Sequence, residues 1–312
     1  MKKQFIYISI LLFLIITACN DIFVMDISDS NVELLAPHNN LETTISTNTF
    51  WWNYVEDATR YQLQIATPDF IQTERLILDT TISMNQFLFN LVPNKYEWRV
   101  RAVNSVYASE FTVYSLVVDS TPDLTNEIVI LYTPTQNDTT NSLTQNYYWG
   151  NLYNADSYNL VVLHEAVPIL DTTLTMVSIT LSVPDNQGAY SWKVNAMNDI
   201  SETTYSERKY YIDTTKPSKR TLISPTDQSV IIDSLVQFVW NSPPITGSSE
   251  YDSIFIYSDQ SMLNPVLQAK VADNQYDAIL NNKMYYWRVR GIDKAGNRGV
   301  FSDLWSFELN AK

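Results

Sequence analysis

The chain has 312 residues, of which 45% are hydrophobic and 13% aromatic, with six glycines, twelve prolines and a formal net charge of −14 at pH 7. This composition is enough for two or three domains with hydrophobic cores, and it excludes collagen-like and low-complexity chains. The acidic balance argues against binding nucleic acid or an anionic membrane surface through the domain faces. The single cysteine, Cys19, excludes an intrachain disulfide and a cysteine-based zinc site.

The first residues have the pattern of a secretory signal peptide. A basic start at 1–3 precedes an almost wholly apolar run at 5–16, which is too short for a stable membrane span. The segment Ile16-Thr17-Ala18-Cys19 resembles the bacterial lipobox, in which the cysteine becomes the acylated N-terminus. We therefore expect residues 1–18 to be a lipoprotein signal peptide and Cys19 to carry a covalent lipid such as palmitate, with no other cofactor. An ordinary signal peptide with a chance cysteine is the alternative.

Residues 19–33 are predicted to be the lipidated N-terminus and a short tether. Each buried methylene of an acyl chain contributes about 0.8 kcal/mol, so several chains on Cys19 would hold the protein in a membrane. The expected location is the cell envelope, at the outer membrane. Asp21 is only a partial match to the acidic surface-export signal of some Gram-negative groups, so the periplasmic and external faces both stay open.

Two tryptophans recur at matching positions in three successive stretches of sequence. In each stretch the first tryptophan lies fifteen positions after a proline, at Trp52, Trp149 and Trp240. The second tryptophans lie in segments of alternating apolar and polar residues, at 96–101, 190–195 and 285–290. Alternation with period two is typical of a strand with one buried face.

The repeat period of about 90 residues suits complete domains better than solenoid repeats. Proline-containing linkers follow residues 118 and 212. The predicted domains are 34–121, 122–216 and 217–312.

Short strands without helical periodicity indicate an all-β fold. The first repeat predicts strands at 50–52, 61–65, 76–78, 87–89, 96–103 and 112–118. Seven or so such strands with turn signals between them predict a β-sandwich. The two tryptophans of each repeat are expected in its core.

The segment 91–104 resembles the end of a fibronectin type III module, with a leucine, a turn, a tyrosine and then alternating valine and arginine. Trp52 and Tyr61 match the early core tryptophan and the third-strand tyrosine of that family. The third repeat is similar through Leu280, Tyr285 and the hairpin at 291–297, which is common in bacterial Ig-like modules. The second repeat has a longer turn before Tyr190 and no clear leucine at the usual offset.

The resemblance covers about residues 34–310. It implies three tandem fibronectin type III-like β-sandwiches with a binding or spacer role and no catalytic residues. Lipid-anchored chains of this kind resemble outer-membrane lipoproteins of Bacteroidetes-type bacteria.

No residue pattern predicts catalysis. Neither His38 nor His164 has a neighbouring serine or carboxylate pattern that suggests a triad. The repeated Asp79 and Asp171 are interpreted as turn or cap residues. Calcium binding by the linker residues Asp119 and Asp213 is left open, because only one carboxylate is evident at each linker.

The candidate ligand contacts are outward-facing aromatic residues. Since Trp52 faces inward, its neighbour Trp51 should face outward, and its repeat equivalents are Tyr148 and Val239. Tyr286 is also predicted to face outward. Coverage of a sheet edge is the alternative role for Trp51. Trp305, by contrast, alternates with core positions and is expected to be buried.

The sequence predicts a non-catalytic, membrane-anchored adhesion, scaffold or spacer protein that contacts a protein partner. The alternative is a glycan-binding outer-membrane lipoprotein that assists polysaccharide uptake; an enzyme ranks third. A row of outward basic residues is interpreted as a solvated strand face, with binding to an acidic partner as the alternative. Its members are Arg99, Arg101, Lys193, Arg288 and Arg290.

Overall fold

The computed structural model describes residues 24–184, 187–263 and 265–311. The predicted signal peptide and the predicted lipidation site Cys19 lie outside these residues. The part of the chain that the structure describes contains no helix with the length and apolarity of a membrane span.

The described chain folds into three successive groups of eight strands. The first group comprises β1 Leu34–Ala36, β2 Leu41–Thr43, β3 Thr47–Trp52, β4 Arg60–Thr67, β5 Arg75–Ile82, β6 Gln86–Asn90, β7 Asn94–Val103 and β8 Thr112–Val118. The second comprises β9 Leu131–Thr133, β10 Asp138–Thr140, β11 Thr144–Trp149, β12 Ser157–His164, β13 Val167–Leu174, β14 Ser178–Ser182, β15 Gly188–Met197 and β16 Ser206–Ile212. The third comprises β17 Thr221–Ser224, β18 Ser229–Ile231, β19 Leu235–Asn241, β20 Glu250–Tyr257, β21 Pro265–Val271, β22 Gln275–Ile279, β23 Lys283–Asp293 and β24 Trp305–Leu309.

Each group forms a three-stranded and a five-stranded sheet with the same strand order. In the first group the sheets are β1-β3-β6 and β2-β8-β7-β4-β5. In the second they are β9-β11-β14 and β10-β16-β15-β12-β13, and in the third β17-β19-β22 and β18-β24-β23-β20-β21. The short strands β10 and β18 run parallel to β16 and β24, whereas the long central pairs are antiparallel. The protein is therefore all-β, with three tandem fibronectin type III-like sandwiches.

The repeated sequence alternation sets which side chains form the core. Along β7, Tyr96, Trp98, Val100 and Ala102 are buried, and the residues between them are only partly covered. This pattern confirms the predicted strand and its inward face. It follows from the geometry of a strand, in which successive side chains point to opposite sides of the sheet.

All six repeated tryptophans are fully buried, in equivalent arrangements. An aromatic residue of the three-stranded sheet meets the second tryptophan edge to face in each sandwich. These contacts are Phe50–Trp98 with ring centroids 5.1 Å apart, Tyr147–Trp192 at 5.5 Å and Phe238–Trp287 at 5.1 Å. Edge-to-face pairs are favourable because the positive ring edge meets the negative ring face.

Trp305 packs against the third core and meets Trp287 edge to face, with centroids 6.3 Å apart. It is the first residue of β24 and is partly rather than fully buried.

The second sandwich closes its core with Val183 in place of the leucine that the other two use. The amide of Val183 donates to the Leu143 carbonyl at 2.8 Å. The amides of Leu91 and Leu280 make the matching bonds to Ser46 and Ser234. Val183 is buried, so the missing leucine is replaced by a smaller apolar residue in the same place.

The chain divides into two compact units. The first comprises the described residues up to Glu42 together with Thr49–Phe87 and Asn94–Val117. The second comprises Thr43–Asn48, Leu88–Pro93 and the chain from Val118 onward. Within the first unit, Ile27 and Val32 are buried and the Met25 carbonyl accepts a hydrogen bond from Asn104. The described part of the predicted tether is thus folded against strands of that unit.

Candidate functional site

Two exposed tyrosines form a stacked pair on the three-stranded sheet of the second sandwich. Tyr132 on β9 and Tyr148 on β11 are 37% and 41% exposed, and their ring centroids lie 4.9 Å apart at an interplanar angle of 30°. Burial, followed by the neighbouring Tyr148, raises the pKa of the Tyr132 hydroxyl. The pair presents apolar ring surface edged by two phenol hydroxyls.

Polar groups continue this face along the same strand. The outward residues of β11 alternate as Thr144, Asn146 and Tyr148. Thr180 of β14 donates to the Asn146 side-chain oxygen at 3.2 Å, and Ser182 lies 3.2 Å from the Thr144 hydroxyl. The surface therefore combines a flat aromatic platform with amide and hydroxyl groups. Tyr132 was not singled out from the sequence, although its place before the repeated proline could have identified it.

Trp51 is 45% exposed, which agrees with the outward direction predicted from Trp52. It lies on β3 of the first sandwich opposite Ala36 of β1. Tyr286 is only partly exposed and lies on β23, in a five-stranded sheet. Because Tyr148 and Tyr286 occupy different sheets of different sandwiches, the three candidate contacts are not copies of one repeated site.

The outward arginines of the first sandwich are covered rather than fully solvated, which corrects the interpretation of a plain solvated face. The Arg99 guanidinium lies over the rings of Phe70 and Phe111, at 4.0 and 4.3 Å from their centroids. Arg101 lies 4.7 Å from the Phe111 centroid. Cation–π contacts of this kind are worth about 0.5–1 kcal/mol where partly exposed.

A carboxylate compensates these two arginines through a pair of amides. Gln64 and Gln62 accept from the Nε atoms of Arg99 and Arg101 at 2.8 and 2.9 Å. The same amides donate to Asp79 at 2.9 and 2.7 Å. Asp79 lies within β5 and not in a turn. Asp171 lies within β13 and likewise accepts from a side-chain amide, that of Asn159. The prediction of turn or cap roles for both aspartates was wrong.

The third sandwich has the arginines without this compensation. The guanidinium groups of Arg288 and Arg290 lie 3.7 and 4.6 Å from the Phe301 centroid. Their Nε atoms are buried without a hydrogen-bond partner. At the positions of Gln62 and Gln64, this sandwich has Ser253 and Phe255. These side chains cannot bond an arginine and a carboxylate at once, as a glutamine amide does.

The third sandwich also contains a buried ion pair that sequence reasoning missed. The Nε of Arg220 donates to Asp252 at 2.7 Å, and its Nη2 donates to Glu250 at 2.6 Å. The other Asp252 oxygen accepts from the Trp240 indole at 2.5 Å and from Ser242 at 2.8 Å. Every polar atom of the Asp252 carboxylate is thus engaged.

A close approach explains the glycine opposite this pair. Gly291 faces Asp252 across β20 and β23. A Cβ at Gly291 would lie 2.5 Å from the Arg220 Nη2 and 2.8 Å from Pro217. The arginine therefore fits only because this position has no side chain, and the Arg220 guanidinium also donates to the Ser218 carbonyl.

The second and third sandwiches meet at a buried hydrogen-bonded cluster within the second compact unit. The Asp213 carboxylate, at the end of β16, accepts from the amides of Ser248 at 2.6 Å and Thr215 at 2.9 Å. Asn297 donates to the Asp213 carbonyl at 2.7 Å and to Asp293 at 2.8 Å. Burial raises the pKa of Asp213, but the bonds from Ser248 and Thr215 outweigh it, so the net pKa is lowered.

A second buried carboxylate, elsewhere in that unit, also accepts hydrogen bonds from backbone amides. Glu127 accepts from the amides of Ser46 and Thr47 at 2.6 and 3.2 Å. These bonds to backbone N–H groups show why buried carboxylates persist here: each satisfies donors that would otherwise be unpaired.

The two histidines and the linker residue Asp213 have local partners. His164 packs against Tyr190 with ring centroids 4.6 Å apart, and His38 contacts the Asn39 carbonyl at 3.1 Å. Over the described ranges, no group of three or more histidine, cysteine, aspartate or glutamate side chains is placed to hold a metal ion. The Asp213 carboxylate already accepts from two amides, which disfavours the calcium role considered for it.

Comparisons with known proteins give similarities of fold. No family model matches the sequence, and no curated protein matches it. The chain is similar to the FN1–FN3 domains of chicken CNTN1, at 16% identity and a TM-score of 0.44, with 88% of this chain and 96% of that chain covered. It is also similar to the fibronectin(III)-like modules of Clostridium thermocellum CbhA, at 12% identity and a TM-score of 0.41, covering 59% and 95%.

Domains A168–A170 of titin are a further similar structure. Their identity is 13% and the TM-score 0.35, with 88% of this chain and 97% of that chain covered. The similarities are too distant to carry a function, and the fold assignment rests on the strand order.

Proposed function

We propose that this protein is a membrane-anchored, non-catalytic lipoprotein of the cell envelope that acts as an adhesion, scaffold or spacer protein through protein–protein contacts. The observation that carries the proposal is the buried cluster of Asp213, Ser248 and Asn297 between the second and third sandwiches. A spacer must hold successive domains in a defined arrangement, and bonds from one sandwich to backbone groups of the next provide this.

Site-directed spin labelling tests the ordered junction. In a Cys19→Ser background, labels at the exposed positions of Thr175→Cys and Asp277→Cys report the distance between the two sandwiches. We expect one narrow distance distribution, which Asn297→Ala broadens because it leaves the Asp213 carbonyl without its donor. The exposed Asn281→Ala is the matched control. An equally broad distribution in the parent and both variants would count against a spacer role.

The anchor is supported by the lipobox-like segment that ends at Cys19 and is tested separately. We expect metabolic labelling with palmitate to mark the parent protein but not Cys19→Ser, and the variant to leave the outer-membrane fraction. Membrane association that survives the substitution would refute the anchor. Surface proteolysis of intact cells then distinguishes the periplasmic face from the external face.

A second candidate function is glycan binding, and the stacked pair of Tyr132 and Tyr148 favours it. Sugar rings stack on exposed aromatic faces, and the neighbouring Asn146 and Thr180 offer hydrogen-bonding groups for hydroxyls. On a glycan array, Tyr148→Ala should weaken binding about tenfold, whereas Tyr211→Ala, equally exposed on the other sheet, should not. If the parent protein, Trp51→Ala and Tyr148→Ala all fail to bind any glycan on the array, this function is excluded.

A further inference from the structure

A groove of about 530 Å³ opens on the third sandwich, beside the start of β20 and the end of β23. Its size lies in the range of about 300–1,000 Å³ that is typical of pockets for small ligands. Tyr251 and Ile292 contribute its apolar surface, and Lys270 of the edge strand β21 lies at its side. The groove is formed entirely by residues of the second compact unit.

The two carboxylates that line the groove are already engaged inside the sandwich. Glu250 forms its salt bridge with Arg220 at 2.6 Å. Asp293 is buried and accepts from the Asn297 amide and side chain, both at 2.8 Å. Neither carboxylate forms an ion pair with the cations at the groove mouth.

Three cations at the mouth have no carboxylate partner. Among the residues that the structure describes, the salt bridges involve only Lys219 and Arg220, so Lys270, Lys294 and Arg298 form none. All three cations are exposed. On a chain with a net charge of −14, this is a local concentration of positive charge.

Arg288 and Arg290 lie on the same face of β23 as Ile292, which lines the groove. Burial lowers the pKa of Arg290, and the nearby charges of Arg298 and Arg288 lower it further. The Nε atoms of Arg288 and Arg290 have no hydrogen-bond partner, in contrast to the first sandwich, where Asp79 compensates the equivalent residues through two glutamines.

The remaining surface favours a sugar over a peptide. The Lys270 ammonium lies over the Tyr251 ring, 3.9 Å from its centroid, so it covers one face of the ring and leaves the other face and the edge for a ligand. A peptide partner would need a deep apolar pocket for an anchoring side chain, but Ile292 and Tyr251 line only an open groove. A sugar acid presents a ring for Tyr251 and a carboxylate for the adjacent cations.

We propose that this groove binds an acidic polysaccharide, with carboxylates of its sugar acids paired to Lys270, Lys294 and Arg298 and a sugar ring against Tyr251. The proposal goes beyond both functions proposed above. It uses other residues than the Tyr132–Tyr148 pair and does not require the anchor or the ordered junction.

Isothermal titration of the full chain tests the groove with three probes: polygalacturonate, neutral dextran and polyglutamate. We expect binding of polygalacturonate only, weakening as salt is added because exposed charges are screened. Lys270→Ala and Arg298→Ala should each reduce affinity tenfold or more, as expected for the loss of a charged hydrogen bond. Lys283→Ala removes the same charge from an exposed position outside the groove and should leave affinity unchanged.

The contact with Tyr251 distinguishes binding of a sugar acid from binding of other polyanions. Tyr251→Ala should also weaken polygalacturonate binding. If Tyr251→Ala does not fold, Lys270→Ala and Arg298→Ala, which change exposed residues, test the proposal. The proposal is overturned if polygalacturonate does not bind, or if Lys283→Ala weakens it as much as Lys270→Ala. Polyglutamate binding of equal strength that is insensitive to Tyr251→Ala would overturn it in favour of an acidic peptide.

Discussion

At the residue scale, the most informative difference among the sandwiches is the buried pair of Arg220 and Asp252. The positions equivalent to Asp252 hold Tyr61 and Tyr158, whose hydroxyls accept from the amides of Val55 and Leu152 at 2.8 Å. In the third sandwich a carboxylate replaces the phenol. Because a buried carboxylate needs a countercharge and several donors, Arg220 and the glycine at 291 accompany it.

We expect Arg220→Val to destabilise the third sandwich by about 3–5 kcal/mol, because it leaves buried carboxylates without their cation. The double variant Arg220→Val with Asp252→Tyr imitates the other two sandwiches and should recover at least half of the loss. Hydrogen exchange of the amides in β20 and β23 measures both changes. If the double variant were less stable than Arg220→Val alone, the ion pair would not be the reason for the loss.

At the scale of the element, the long central strands serve two roles at once. The inward residues of β7, β15 and β23 place one tryptophan each in a core, while the outward residues carry cations that neighbouring aromatic rings cover. Alternation fixes the direction of each side chain, but it does not fix what covers the outward ones. Phe301, for example, lies in the connection between β23 and β24 and covers the arginines of β23.

The repeated tryptophan gives a prediction for these strands. Trp192→Ala should destabilise the second sandwich by about 3–5 kcal/mol, because truncation leaves a cavity where Tyr147 and the indole ring now meet. Hydrogen exchange resolved to β15 should report the loss. The exposed Tyr211→Ala on the same sheet is the control, and an equal effect of both substitutions would contradict a core role for Trp192.

At the scale of the whole molecule, buried carboxylates link successive parts of the second compact unit. Asp213 lies at the end of one sandwich and accepts from Ser248 of the next. This arrangement makes the stability of the junction depend on pH, because only the ionised carboxylate accepts both backbone bonds.

The lowered pKa of Asp213 determines the direction of this dependence. A carboxyl whose pKa is lower in the folded state stabilises the junction fully above its ordinary value of 3.8, and the contribution is lost as the pH falls further. We expect the Ser248 amide to lose protection from hydrogen exchange below about pH 3.8, after correction for the intrinsic rate. Asp213→Asn should lower protection at neutral pH and remove this acid step; an unchanged acid step in the variant would assign it to another group.

Much of the architecture follows from the sequence alone. Period-two alternation and the repeated spacing of Trp52, Trp98 and their equivalents determined the all-β class, the three repeats and the inward faces, because strand geometry sends alternate residues to opposite sides. The outward direction of Trp51 and Tyr148 followed from the same rule.

Only the tertiary structure decided what meets those faces. The stacking of Tyr132 on Tyr148, the Arg220–Asp252 pair, the Asp213 cluster and the groove beside Lys270 each join residues that are distant in the chain. Alternation assigns a side chain to a face, but its partner depends on which strands and loops the sheet order brings alongside. The sequence therefore determined the cores, whereas the fold decided where charge is compensated and where it is left available for a ligand.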